Sequence, residues 1–119
     1  MDKSDALTAF AALSQPARLE AFRLLIKAGP KGLPAGQIAT LLDQRQNTMS
    51  ANLSILANAG LITSTRQGRS ILYRANMPAL RGLLAFLMED CCGGQAELCR
   101  PLIEEIACAQ ESRSGGERT

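Results

Sequence analysis

The sequence predicts a mainly α chain with one β-hairpin, in the order α-α-α-α-β-β-α-α. Three observations predict it. Apolar residues recur at helical spacing through most of the chain. Prolines and glycines stand where helices should begin and end. Only between Leu61 and Arg74 does the pattern change, to β-prone residues around a Gln67-Gly68 turn.

Each element can be read in order. Residues 4–13 carry Leu7, Phe10, Ala11 and Leu13 at helical spacing. Ser14 is placed to cap a second helix, with Pro16 in its first turn, where a missing N–H does no harm. That helix runs from Ala17 to about Ala28, with Leu19, Phe22 and Ile26 on one face and Leu24 and Leu25 beside it. Gly29-Pro30 stops it. Pro34 opens a short helix over 35–42, with Ile38, Leu41 and Leu42 inward. A polar turn, Asp43-Gln44-Arg45, leads into a fourth helix from Gln46 to Ala59 with an apolar stripe of Met49, Leu53 and Leu56. Gly60 stands where a left-handed residue ends a helix. Residues 61–66 and 69–74 read as two strands. Asn76 can cap the next helix, Pro78 to Asp90, which carries Leu80, Leu83, Leu84, Leu87 and Met88. Gly93-Gly94 breaks the chain after Cys91-Cys92, and Pro101 can start a last helix. Two short helices joined by a tight turn, then a basic hairpin, describe a winged helix-turn-helix over residues 1–109, followed by a disordered tail over 110–119.

Composition narrows the class. The chain has 119 residues, one domain's worth, and its core must be aliphatic because aromatics are 3%. No apolar run is long enough to span a membrane. The polar start, Met1-Asp2-Lys3-Ser4-Asp5, is unlike a signal peptide, so a cytoplasmic location with reduced thiols is expected. Charge is unevenly spread. Gln44 to Met88 holds five arginines and no acid, whereas Glu89 to Glu111 holds six acids against Arg100 alone. The first stretch suits a polyanion.

Residues for reading DNA fall in that basic stretch. Gln46, Asn47 and Ser50 lie on the outward side of the fourth helix, with Thr48 nearby. Gln and Asn can pair bidentately with adenine, and Ser can serve base or phosphate. Arg45 precedes the helix, whose N-terminus favours an anion. Arg66, Gln67 and Arg69 make a basic hairpin tip able to reach backbone or minor groove. Each of these also fits an ordinary solvated helix start or a protected strand edge. Their joint occurrence in this order favours DNA.

A second kind of chemistry lies further on. Three of four cysteines fall within Cys91-Cys92-Gly93-Gly94-Gln95-Ala96-Glu97-Leu98-Cys99, and the chain has no histidine. Adjacent residues on a helix point roughly 100° apart, and Gly93-Gly94 would free both sulfurs to converge. Three close thiols suit a soft three-coordinate ion better than zinc. Cys108 is better explained as packing. A reversible Cys92–Cys99 disulfide is a competing reading. Catalysis is disfavoured: six residues after Cys91 and Cys92 stand Glu97 and Leu98, so no Cys-x5-Arg phosphate loop exists, and no His can act as base.

The stretch Ser50-Ala51-Asn52-Leu53-Ser54-Ile55-Leu56-Ala57-Asn58-Ala59-Gly60-Leu61-Ile62 resembles the recognition-helix signature of the ArsR/SmtB family of bacterial metal-sensing repressors, Ser-x-His-Leu-x-x-Leu-x-x-Ala-Gly-Leu-Val. Asn52 stands where His is usual, and is taken with the DNA-contacting set on that basis. Ala11 to Glu20 resembles the family's Leu-x-x-Pro-x-Arg segment, and Arg66 to Tyr73 its wing. The likeness extends over roughly residues 5–108. It implies a homodimeric repressor on near-palindromic operator DNA that leaves when its inducer binds. Within the family, His-based sites are excluded here, and helix three and the N-terminus lack cysteine. The C-terminal cluster is similar to that of arsenite-responsive members. The resemblance therefore implies As(III), with Sb(III) or methylated As(III) as relatives, held by Cys91, Cys92 and Cys99. A redox-sensing or organoarsenical-sensing repressor using the same thiols is the alternative.

Overall fold

A computed structural model of the chain describes residues 1–88. These form helices α1 (Lys3–Leu13), α2 (Pro16–Ala28), α3 (Ala35–Leu41), α4 (Gln46–Asn58) and α5 (Met77–Leu87), with strands β1 (Leu33–Pro34), β2 (Ile62–Gln67) and β3 (Ser70–Ala75). The sheet order is β1-β3-β2, all antiparallel. This is the winged helix-turn-helix that the sequence predicts. The further helix expected from Pro101, the cysteine cluster and the tail lie outside the described residues.

The α4 stripe behaves as expected. Met49, Leu53 and Leu56 are fully buried, and they meet Leu25 of α2, Ile38 of α3 and Leu61 to form the core. Gly60 adopts φ 81 after α4, and its N–H closes on the Ala57 carbonyl, which turns the chain into β2. Aliphatic side chains do most of the filling, as an aromatic-poor chain requires; Phe22 and Tyr73 are the buried aromatics among the described residues.

Several local expectations are corrected. Gln15, not Ser14, caps α2: its Oε1 accepts the Arg18 N–H at 2.8 Å, while the Ser14 N–H folds back to Ala11 and ends α1. The hairpin slips by one residue. Gln67 pairs with Ser70, so Gly68-Arg69 is the loop and the strands reach Gln67 and Ala75. In α1 the buried face is Ala6, Ala9 and Ala12, small residues that let neighbouring helices approach closely. Leu7 and Phe10 point outward, 59% and 37% exposed. In α3, Leu41 is likewise exposed, with Ala39 in its place against the core. In α5 only Leu83 is buried, while Leu84 and Leu87 are exposed.

The sheet has a third strand that the hydropathy pattern does not announce. β1 is two residues long, and Leu33 pairs with Tyr73. Gly32 makes this docking possible. Its φ is 70, and a Cβ there would collide with the Tyr73 carbonyl oxygen. Arg74 secures the same corner by donating from Nε to the Pro30 carbonyl at 2.9 Å and from Nη1 to Thr65 Oγ1 at 3.1 Å. The wing is thereby anchored to the body at its base.

Candidate nucleic-acid interface

The turn between α3 and α4 sets the exposed helix at its angle. Asp43 holds φ 53, a left-handed conformation that a short polar side chain tolerates better than most. The Gln44 N–H then bonds the Ala39 carbonyl at 2.9 Å, so the turn is pinned to α3. Arg45 is the extended residue before α4, and its side chain makes no capping bond. The first turn of α4 holds no acid, leaving its positive end open to an anionic partner.

From that start, Gln46, Asn47, Thr48 and Ser50 are all exposed, opposite the buried Met49 and Leu53. Asn47 Oδ1 accepts the Thr48 N–H at 2.9 Å. A bidentate contact to adenine would require Asn47 to release that bond, whereas Gln46 has no such tie. Arg66, Gln67 and Arg69 are exposed on the wing. Among the described residues the one ion pair joins Arg23 to Glu20 at 4.0 Å. Arg45, Arg66 and Arg69 are therefore not neutralised by any carboxylate there.

Helix and wing share a groove. Gln46, Ser50 and Ser54 line one side of a 430 Å³ cleft, and Arg69, Ser70 and Tyr73 line the other. Ser54 and Ser70 join the site only in the structure. A signal exists in the sequence for Ser54, which follows Gln46 and Ser50 at i+8 and i+4 on one helix face. Ser70 becomes a groove residue only through the strand register.

Asn52 departs from the expectation. It is 8% exposed and turned toward the protein body, where its Oδ1 accepts from Arg18 Nη1 at 3.3 Å. Two residues from Ser50 on a helix is about 200° of rotation, which carries Asn52 to the far side of α4. It is not part of the open face. Cys91, Cys92 and Cys99, with Cys108, lie outside the described residues. Among the described residues no helix is long and apolar enough to cross a membrane.

The chain is similar to known proteins in keeping with this arrangement. Residues 13–65 match the model of a helix-turn-helix domain. An ArsR-like transcriptional regulator from Rhodococcus sp. RHA1 is 32% identical, with a TM-score of 0.63 over 87% of this chain and 93% of that one. A winged helix-turn-helix DNA-binding domain from Mycobacterium bovis, described as homodimeric and as a possible ArsR-family regulator, is 27% identical. It has a TM-score of 0.60 over 73% of this chain and 80% of its own. An uncharacterized HTH-type transcriptional regulator of Mycobacterium tuberculosis is 25% identical over 111 residues, 92% of this chain and 89% of its own length.

Proposed function

The chain belongs to the ArsR-like family of transcriptional regulators, and from that premise we propose that it is a repressor controlled by a thiol-loving metalloid. It holds operator DNA as a homodimer and lets go when trivalent arsenic engages Cys91, Cys92 and Cys99.

The observation that carries the DNA half is the shared face of α4 and the wing. Gln46, Asn47 and Ser50 supply groups that match base edges, and Arg45, Arg66 and Arg69, which pair with no carboxylate among the described residues, supply positive charge beside them. The exposed apolar residues support the dimer. Leu7 and Phe10 on α1 and Leu84 on α5 are large apolar side chains left exposed among the described residues, and a second copy could cover them. The Mycobacterium bovis neighbour's homodimeric state supports the same reading. Two copies of α4 about one helical turn of DNA apart, roughly 34–36 Å, would then read two half-sites.

The donor set supports the sensing half. Three cysteines within nine residues, in a chain without histidine, suit a soft three-coordinate ion. Cys91, Cys92 and Cys99 would hold it by condensation with arsenous acid: each sulfur replaces one hydroxide, which leaves as water with the thiol's proton. An organoarsenical could be held by two of the same sulfurs. In sequence, Cys91 follows the end of α5 by four residues. Drawing the three sulfurs together would pull on α5, and α5 begins against the end of α4.

Fluorescence anisotropy tests this with a duplex from upstream of the protein's own coding region, under reducing conditions. Release by arsenite but not by zinc is the expected result. Tight binding unmoved by arsenite would overturn the inorganic-arsenic reading. In a parallel titration without reductant, release by diamide and none by arsenite would assign the thiols to redox sensing instead.

A further inference from the structure

We infer that Arg18 is a positioning residue for the reading helix: acting through Asn52, it sets the rotation at which α4 presents Gln46, Asn47 and Ser50 to the duplex. The inference rests on the reading that α4 enters a DNA groove.

Arg18 lies in the first turn of α2 and joins three helices at one guanidinium. Its backbone N–H donates to Gln15 Oε1 at 2.8 Å, which fixes where the side chain leaves the helix. Its Nε donates to the Ala12 carbonyl at 2.6 Å. That carbonyl is in the last turn of α1, where no helical N–H is left to donate to it. Its Nη1 donates to Asn52 Oδ1 at 3.3 Å, in the middle of α4. Asn52 is the one buried polar residue among the described residues. Arg18 forms no ion pair there, so carbonyl oxygens alone meet its half-buried charge.

An apolar side chain in place of Arg18 would leave the Ala12 carbonyl and Asn52 Oδ1 without this donor. The surroundings include Ala11, Ala12, Ile55 and Ala59. What the fork adds is direction. A guanidinium is planar and rigid, so bonds to two fixed acceptors leave α4 little freedom to turn about its axis. Rotation matters at the other face. Side chains stand about 5–6 Å from a helix axis, so a turn of about 10° moves their tips by about 1 Å. That is enough to spoil a bidentate contact to a base edge. Contacts to phosphate by flexible arginines of the wing would survive it.

The test uses the full chain and two duplexes of one length: one that wild-type protein selects from a random pool, and a scrambled one. Arg18→Met keeps the stem and removes the donors. Arg18→Lys keeps the charge and removes the fork. Both are expected to lose about tenfold in affinity for the selected duplex. Affinity for the scrambled duplex, and the dependence on salt, should not change, at a temperature where circular dichroism shows the variants folded. Unchanged affinity for the selected duplex would reduce Arg18 to a purely structural role and overturn the inference. Equal loss on both duplexes with a shallower salt slope would make it a phosphate contact, and also overturn it. If Arg18→Met does not fold, Asn52→Ala cuts the same link from the other end and should show the same split between duplexes. Failure of wild type to select any sequence would instead defeat the reading that α4 recognises bases.

Discussion

The side-chain amide of Asn76 donates to the carbonyl oxygen of Gly60 at 2.9 Å, tying the start of α5 to the end of α4. The same side chain accepts the Ala79 N–H at 3.3 Å and so caps α5. Its backbone N–H adds a bond to the Leu61 carbonyl at 2.8 Å. One residue thus ties the helix that precedes the cysteines in sequence to the helix proposed to face DNA. Asn76→Ala should cost about 1 kcal/mol of stability by removing the cap, read as a lower Tm. In DNA-release assays, ligand-free affinity should persist while the drop caused by arsenite shrinks. An undiminished drop would place the coupling elsewhere.

Base reading by α4 has its own signature. Gln46→Ala and Asn47→Ala should each weaken binding to the selected operator by about 1–3 kcal/mol and relax preference at one base position. Competition binding against single-base variants of the operator measures this. Asn47 should show the smaller effect, because its Oδ1 must first leave the Thr48 N–H.

The wing arginines should behave differently. Arg66→Gln or Arg69→Gln should lower affinity for all duplexes alike. Each should flatten the slope of log affinity against log salt by about 0.9 for each phosphate that is no longer neutralised. Titrations at several salt concentrations give the slope. A change in base preference would instead move these residues into direct readout.

Arsenite should protect three of the four thiols from alkylation. Mass spectrometry of native protein alkylated with and without excess arsenite should find Cys91, Cys92 and Cys99 newly spared by arsenite and the labelling of Cys108 unchanged by it. Protection of all four, or of only two, would change the ligand set.

Much of this architecture is legible in the residues themselves. Met49, Leu53 and Leu56 mark the buried side of α4, and Gly60 marks its end, because local spacing and a single left-handed residue suffice. Asn76 is legible as a cap for the same reason. What escapes sequence reading depends on tertiary partners. β1 is two residues long and exists only because β3 is there to pair with it. The α1 face misleads because larger apolar residues are expected to go inward. Close helix packing instead buries Ala6, Ala9 and Ala12 and leaves Leu7 and Phe10 outside. On α4, the likeness to the family signature brings Asn52 into the DNA-contacting set and passes over Ser54. The orientation of that helix is decided by its contacts with α2 and the wing, which turn Asn52 inward and Ser54 into the groove.

Amide hydrogen exchange on the DNA complex tests most directly that the duplex sits against α4 and the wing. With the selected operator bound, protection should rise at the first turn of α4, residues 45–49, and at the wing tip, residues 66–70, with little change in the α2 amides. Protection confined to other segments, or none at α4 despite tight binding, would contradict the assignment of this face to DNA.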